Sequence, residues 1–418
     1  MNETAPKGLR LHLGIFGRRN AGKSTLLNAI TRQSVSIVSD VAGTTTDPVE
    51  KPMELLPIGP VLFIDTAGID DIGALGELRA AKTRQAFDRT DIALLALDLS
   101  RAAGGGKIWD TFEEYLYSEF TRRGVPVLAV LTKADLADPP PELLEMFASR
   151  KIPFTAIASP ASADAGGLAA EGVGALRDRL VDLLPEDYMK PRPIVSDLLP
   201  PGATAVLVTP IDKEAPKGRL IMPQVQTIRD ILDAGCTSVV TQVPQLAGVL
   251  ARLTEPPALV ITDSQAFREV DAIVPPSVPL TSFSVLFARV KGDLAVMKQG
   301  AEILDTLSKD ARILIAEACS HHPIAEDIGT EKIPRLLRKK LGEGIEVGHV
   351  QGHRFPETDS ELARWDLVIH CGACVWNRRE MLRRIARCEA AGVPITNYGL
   401  ALAQLNGILT RASSPLEK

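Results

Sequence analysis

The chain has 418 residues, 45% of them apolar and 24% charged, the balance of a soluble globular protein too long for one ordinary core. A formal net charge of −5 argues against a general nucleic-acid binder, and no apolar run reaches membrane-spanning length. Five cysteines do not make a disulfide framework, and the polar start Met1–Arg10 does not read as a secretory leader, so a reducing cytoplasm is expected, with neither membrane nor nucleic acid as partner.

Short β-rich runs alternate with helical stretches through residues 11–184. The predicted strands are Leu11–Phe16, Val61–Ile64, Ile92–Leu97, Val127–Leu131 and Phe154–Ala158, an order that predicts a mostly parallel, doubly wound sheet. Pro185, Pro191, Pro193, Pro200 and Pro201 read as a linker. A smaller αβ unit follows, with strands at Ala205–Val208, Ser238–Thr241 and Ala258–Ile261 and an amphipathic helix at Val225–Ala234 ended by Gly235. Pro275, Pro276 and Pro279 mark a second boundary. Beyond it, strands at Arg312–Ala316, Val347–Val350, Leu367–His370 and Pro394–Asn397 alternate with helices at Asp293–Leu307, Ile333–Leu341 and Arg378–Ala391. The expected fold class is α/β, with domains at 1–184, 192–272 and 275–418, the first and last doubly wound.

Gly17-Arg18-Arg19-Asn20-Ala21-Gly22-Lys23-Ser24 is a complete G-x-x-x-x-G-K-S, set between an apolar strand and a helical run that opens at Thr25. The glycines let backbone N–H groups turn inward around phosphates at a helix N-terminus. Lys23 is expected on the β- and γ-phosphates and Ser24 on Mg²⁺. Asp65-Thr66-Ala67-Gly68 ends a strand, with Asp65 in the Mg²⁺ shell and the Gly68 N–H sensing the γ-phosphate. Thr132-Lys133-Ala134-Asp135 ends another, where the Asp135 carboxylate can accept from guanine N1–H and N2–H₂, donors that adenine lacks. Ala158-Ser159 is the expected last base-contacting element.

This set resembles the GTPases of the translation-factor-related class, most closely the tRNA-modification and hydrogenase-maturation branch. Where that branch has Gly-Thr-Thr-Arg-Asp, this chain has Gly43-Thr44-Thr45-Thr46-Asp47, so the resemblance implies Thr45 at Mg²⁺ and the γ-phosphate. Thr132 replaces the Asn of N-K-x-D and loses the amide that braces the phosphate loop, so guanine specificity with looser binding is expected. Ile69 stands where small signalling GTPases carry Gln, and the developing charge must be met elsewhere. The resemblance implies a K⁺ ion on Asn20, with Arg18 and Arg19 as the alternative source of charge. The expected chemistry is slow, K⁺-stimulated hydrolysis of GTP to GDP and phosphate, with Lys23, Asn20, Thr45 and Gly68 as the catalytic groups.

Three of the five cysteines fall in Cys319-Ser320-His321 and His370-Cys371-Gly372-Ala373-Cys374. Cys319 and Cys371 follow predicted strands directly, at the ends where open α/β sheets bind ligands. Chemistry alone leaves three readings open: structural zinc on three thiolates and a histidine, a dithiol redox pair of Cys371 and Cys374, or an iron–sulfur cluster on three thiolates with a fourth position free. C-x-H…H-C-x-x-C is the pattern of the FeFe-hydrogenase maturation GTPases, the HydF family. The segments Thr209–Leu220 and Pro223–Asp230 also look like that family, so the resemblance runs through essentially the whole chain. It implies a 4Fe-4S cluster on Cys319, Cys371 and Cys374 and a dimerising middle domain, with a dimer of dimers as its extension. It further implies a scaffold and carrier for a transient two-iron subcluster, loaded with the help of radical-SAM maturases and passed to apo FeFe-hydrogenase. His370 and Cys371 are neighbours on a strand and point to opposite faces, so His370 is expected to support the site more than to bind metal. His321 can share the face of Cys319 as ligand or support. Arg378, Arg379, Arg383, Arg384 and Arg387 read as a solvated helix face, with a docking surface as the alternative. The competing functions are a tRNA-modification-type GTPase with structural zinc and a non-catalytic dimeric regulator with a zinc site.

Overall fold

The computed structural model describes residues 5–33, 49–65, 85–158, 165–185, 188, 192–210, 220–318, 327–352, 354–356 and 358–417. The chain divides into two compact units, Met1–Pro191 and Arg192–Lys418.

In the first unit, β1 (Leu11–Phe16), β2 (Val49–Leu55), β3 (Gly59–Asp65), β4 (Ile92–Asp98), β5 (Val127–Thr132) and β6 (Phe154–Ile157) form one sheet in the order β2-β3-β1-β4-β5-β6. Every pairing is parallel except that of β2 with β3. Strands covered on both faces need not alternate, and β1 and β5 are buried at every position, which is why they read as unbroken apolar runs. The unpredicted strand β2 carries polar residues and Pro52, and it lies at the sheet edge, where a missing N–H is tolerated. Helices α1 (Lys23–Gln33), α2 (Thr111–Arg122), α3 (Pro141–Arg150) and α4 (Ala165–Asp182) accompany the sheet. On one face Leu11, Leu13 and Ile15 pack with Leu26, Leu27 and Ile30; on the other Phe16 and Leu95 pack with Phe87, Leu116 and Phe120.

The second unit holds two four-stranded sheets. β7 (Thr204–Val208), β8 (Thr237–Thr241), β9 (Leu259–Thr262) and β10 (Leu280–Ser282) run in the order β10-β9-β7-β8, with α5 (Met222–Asp233) joining β7 to β8. β11 (Arg312–Glu317), β12 (Glu346–Gln351), β13 (Leu367–His370) and β14 (Ile395–Asn397) run in the order β12-β11-β13-β14, and both sheets are parallel throughout. The prolines at 275–279 lead into β10, which pairs with β9 through Leu280 and Val260, so the middle sheet continues past the boundary expected there. Helices α6 (Phe283–Lys291), α7 (Leu294–Glu302), α8 (Ile333–Leu341), α9 (Arg378–Ala390) and α10 (Tyr398–Leu405) follow. One hydrophobic core contains Val206 and Val260 of the middle sheet, Leu314 and Val368 of the last, and Val285 and Ile385 of the helices. Among the described residues no helix is long and apolar enough to cross a membrane.

Candidate functional site

The phosphate loop leaves β1 at Phe16 and re-enters regular structure at Lys23. Gly17 and Gly22 have φ of +146° and +81°, and a Cβ on Gly17 would lie 2.5 Å from the Ala96 carbonyl oxygen. Asn20 holds φ of +61°, a conformation that asparagine tolerates better than most side chains. Lys23 is buried, and its Nζ donates to the Gly17 and Arg18 carbonyls at 2.6 Å each, which stretches the ammonium across the loop. The Ser24 hydroxyl donates to Asp65 Oδ2 at 3.4 Å, and the other Asp65 oxygen is buried without a partner among the described residues. Burial raises the Asp65 pKa, against the pull of Lys23 and Ser24. An orphaned carboxylate oxygen beside a serine hydroxyl at the loop mouth fits a hard divalent cation such as Mg²⁺.

Thr132 ends β5 and corrects the expectation of a lost brace. Its Oγ1 lies 2.8 Å from the Ala21 carbonyl and 3.1 Å from that of Leu97, so the hydroxyl itself ties the phosphate loop to the sheet. The shorter side chain reaches because the loop comes close: a Cβ on Gly22 would stand 3.3 Å from that of Thr132. Lys133, at φ +56°, donates from Nζ to Asp98 Oδ2 at 2.6 Å. Asp98 also accepts from the Ser100 N–H and hydroxyl; burial alone would raise its pKa, but these hydrogen bonds hold it below its ordinary value. Asp98 was not among the expected site residues, although its place at the end of β4, in register with Thr132, is a usable signal. Asp135 is half-buried in the turn after β5.

Arg18 and Arg19 separate. The Arg18 guanidinium forms a two-pronged pair with the buried carboxylate of Glu113, at 2.7 and 3.1 Å, and lies over the Phe112 ring. Glu113 also accepts from the Asp110 N–H as part of the capping box that starts α2. Arg18 thus ties the loop to α2, whereas Arg19 is exposed. Thr45 with the whole segment 43–47, Gly68, Ile69 and Ser159 lie outside the described residues.

The cysteine site lies at the reversal point of the last sheet. β12 flanks β11 on one side and β13 on the other, so the segments after β11 and β13 border the crevice that such sheets offer to ligands. Cys371 extends β13: its N–H donates to the Ala316 carbonyl at 2.8 Å, and its Sγ accepts from the Ala318 N–H at 3.0 Å. Ala373 turns at φ +48°, and nothing would obstruct a Cβ on Gly372. Burial pushes the Cys374 thiol up, while Lys291 and the N–H groups of Cys374 and Val375 pull it back. Neither thiol is in a disulfide among the described residues, and both are half-buried. Two sulfurs that collect backbone N–H donors in a small-residue turn suit a thiolate-bound cluster. Cys319 and His321 lie outside the described residues, and among the described residues no three or more His, Cys, Asp or Glu are grouped to hold a metal.

His370 is fully buried, with Nδ1 at 2.7 Å from the Cys371 carbonyl and Nε2 at 2.9 Å from Arg384 Nη1. A guanidinium only donates, so Nε2 accepts and the ring proton sits on Nδ1, directed at the Cys371 carbonyl. Burial, then the Arg384 charge, lowers the His370 pKa to about 3 and keeps the ring neutral. Both ring nitrogens are engaged, which places His370 as a clamp on the cysteine turn.

The arginine-rich helix α9 is not a solvated row, which corrects that expectation. Arg384 is 5% exposed, lies over the Trp376 and Phe355 rings at 4.0 and 4.5 Å, and donates to the Gly352 carbonyl. Arg378 donates to the Val290 and Gly292 carbonyls and Arg387 to that of Pro356. Aromatic faces and backbone carbonyls of loops and a helix end supply what water supplies on an ordinary helix surface. Cys236 and Cys388 are packed thiols, the latter pushed up to about 12 by burial.

Three family models match the chain: the 50S ribosome-binding GTPase over residues 12–133, the Hydrogen maturase F dimerization domain over 194–292, and the Hydrogen maturase F tetramerization domain over 295–415. The dimerization match includes β10 and α6, in agreement with the strand pairing. GTPase Der of Wolinella succinogenes is 48% identical over 101 residues, 23% of this chain and 21% of the relative. The tRNA modification GTPase MnmE of Trichormus variabilis is 38% identical over 129 residues, 31% of this chain and 26% of the relative. The chain thus spans about a fifth to a third of the length of the curated relatives it matches. Among solved structures, the G domain of the T. maritima FeoB iron transporter is 17% identical with a TM-score of 0.30, covering 43% of this chain and 99% of that one. Era from Aquifex aeolicus is 19% identical with a TM-score of 0.32, covering 55% and 93%.

Proposed function

We propose, from the premise that this chain belongs to the hydrogen maturase F family, that it is a GTP-hydrolysing scaffold that carries a 4Fe-4S cluster and hands a two-iron precursor to apo FeFe-hydrogenase. The observation that carries this reading is the pairing, in one chain, of a complete phosphate loop with a two-cysteine turn at a sheet reversal point. GTP and Mg²⁺ would occupy the first site, with Lys23 moving from the loop carbonyls to the phosphates and Ser24, Asp65 and Thr45 around the ion. Gly17 to Thr25 wrap the phosphates and Gly68 senses the γ-phosphate. Lys133, Asp135 and Ser159 take the base. Arg18 is held by Glu113, which favours K⁺ on Asn20 over that arginine as the charge that speeds hydrolysis.

Cys371 and Cys374, with Cys319, would hold the cluster, which supplies an exchangeable iron position to anchor cargo. His370 and the Ala318 N–H orient the Cys371 segment, and His321 lies close to Cys319 in sequence. The regions 1–184, 192–272 with β10, and the remainder to 418 would serve nucleotide binding, dimerisation and cluster binding in turn. Homodimers or dimers of dimers, radical-SAM maturases and the apo-hydrogenase are the partners. Nucleotide state would gate their exchange through the segments around Thr45 and Gly68.

The test is anaerobic reconstitution with iron and sulfide, followed by EPR and by activation of apo FeFe-hydrogenase. Wild-type protein should take up a cluster and activate; Cys371→Ala should lose both while still hydrolysing GTP. Uptake of zinc in place of iron and sulfide, with no activation, would favour the tRNA-modification-type GTPase.

A further inference from the structure

The end of β4 holds two consecutive residues of the loop that follows β5. The Leu97 carbonyl accepts from the Thr132 hydroxyl, and the next residue, Asp98, accepts through Oδ2 from Lys133 Nζ at 2.6 Å. The other carboxylate oxygen, Oδ1, accepts from the Ser100 N–H at 2.9 Å and from the Ser100 hydroxyl at 2.6 Å, so Asp98 is fixed on both sides. The pair is sheltered, with the Asp98 side chain 12% exposed and that of Lys133 29%. Lys133 is held at its backbone as well. Its φ is +56°, and its carbonyl accepts from the Leu136 N–H at 3.0 Å. The next N–H, that of Ala134, donates to the Ile157 carbonyl of β6 at 3.2 Å. Asp135 therefore lies inside a turn that opens at Lys133. The four-carbon stem of Lys133 runs from the end of β5 toward β4, across the carboxyl edge of a parallel sheet, where such sheets bind ligands.

We propose that Asp98 is a positioning residue for nucleotide binding: it pins the Lys133 ammonium so that the lysine stem stands ready as an apolar surface for the base. The inference deepens the reading of Lys133 and Asp135 as base-binding residues and rests on it. A lysine stem can cover a flat ring with its methylenes while its charged end stays with a partner. A mobile stem would have to be ordered when the nucleotide arrives, and ordering one such side chain costs about two- to tenfold in affinity. Asp98 and Ser100 impose that order in the folded protein beforehand. Asp98 acts through Lys133 and not on the phosphates, so its loss should weaken binding and spare the chemical step.

The experiment measures dissociation constants for GDP and ADP with Mg²⁺, and KM and kcat for GTP, on the full-length protein. It compares wild type, Asp98→Ala, Asp98→Asn and Lys133→Met, with each Asp98 variant also combined with Lys133→Met. Asp98→Ala should raise the GDP dissociation constant and the GTP KM about five- to tenfold, with kcat held within about twofold. Asp98→Asn, which keeps an acceptor in place but not the charge, should raise them only about two- to threefold. Lys133→Met keeps an uncharged chain and removes the ammonium, so either Asp98 variant added to it should change GDP binding no further. Asp98→Asn carries the same cycle if Asp98→Ala does not fold. An unmoved GDP dissociation constant in the Asp98 variants overturns the proposal. So does an Asp98 effect that persists in the Lys133→Met background, or a kcat that falls as far as the affinity, because the role would then be general support of the loop. Wild-type protein that binds ADP as tightly as GDP overturns the base-site reading, and this inference with it.

Discussion

At Thr132 a single hydroxyl does the work expected of an amide. Its donated bond satisfies a phosphate-loop carbonyl in a buried position, where an unpaired acceptor costs about 1–3 kcal/mol. Thr132→Val keeps the branched shape and removes only that bond. Nucleotide affinity, which depends on the loop being held in its phosphate-binding form, should fall about tenfold, equivalent to about 1.4 kcal/mol. Isothermal titration with GDP and Mg²⁺ measures it, and an unchanged dissociation constant would show that the brace does not organise the site. The motif was legible in sequence, and the brace was not, because a strand-end threonine shows its partner only once Ala21 is folded against it. His370 is the reverse case. The alternation of side chains along a strand already turned it away from Cys371, and the fold added its two partners, the Cys371 carbonyl and Arg384, the latter fixing its proton.

Among the elements, β2 shows what hydrophobic pattern misses. Val49–Leu55 carries two glutamates, a lysine and a proline, so no apolar run marks it, and it is a strand because β3 offers it an edge. Its Glu50 is held by ion pairs with Lys7 and Arg89. Burial works against ionisation, but the two cations outweigh it and depress the Glu50 pKa from 4.5 to about 2. A depressed folded-state value means that this stabilisation is complete above the ordinary pKa and is lost as pH falls through the folded one. The window is therefore about pH 4.5 down to 2, and the contribution is about 1–2 kcal/mol after solvent screening. Glu50→Gln should lower stability at neutral pH by that amount and flatten the acid limb of a denaturant-midpoint profile. Parallel profiles for both proteins would show that Glu50 does not anchor the edge. The buried strands β1, β4 and β5 were legible because two-sided burial leaves an uninterrupted apolar run. Helix α9 departs from its sequence pattern for a related reason: periodicity counts every arginine as solvent-facing, and Arg384 lies against aromatic faces.

For the molecule as a whole, the proline clusters were readable as punctuation but not as a hierarchy. The cluster near 191 coincides with the division into compact units; the one near 275 falls inside a unit whose two sheets share a core. Val206, Val260, Leu314 and Val368 are each fully or almost fully buried in that one cluster, and α6 contributes to it from between the sheets in sequence. Two sheets with a common core cannot unfold one at a time without exposing the other's apolar surface, which costs roughly 25 cal/mol per Å². Residues 192–418 should therefore unfold in one cooperative step, with circular dichroism and tryptophan fluorescence giving the same denaturant midpoint. A fragment ending at residue 274 would lack β10, α6 and the last sheet's half of the core, and should be aggregated or molten. A stable, cooperatively folded fragment of that length, or two separated transitions in 192–418, would mean that the dimerisation and cluster regions are independent bodies. Cooperative unfolding would instead give the Lys291 end of α6 a rigid link from the middle sheet to the cysteine turn, a route by which a change at one could be felt at the other.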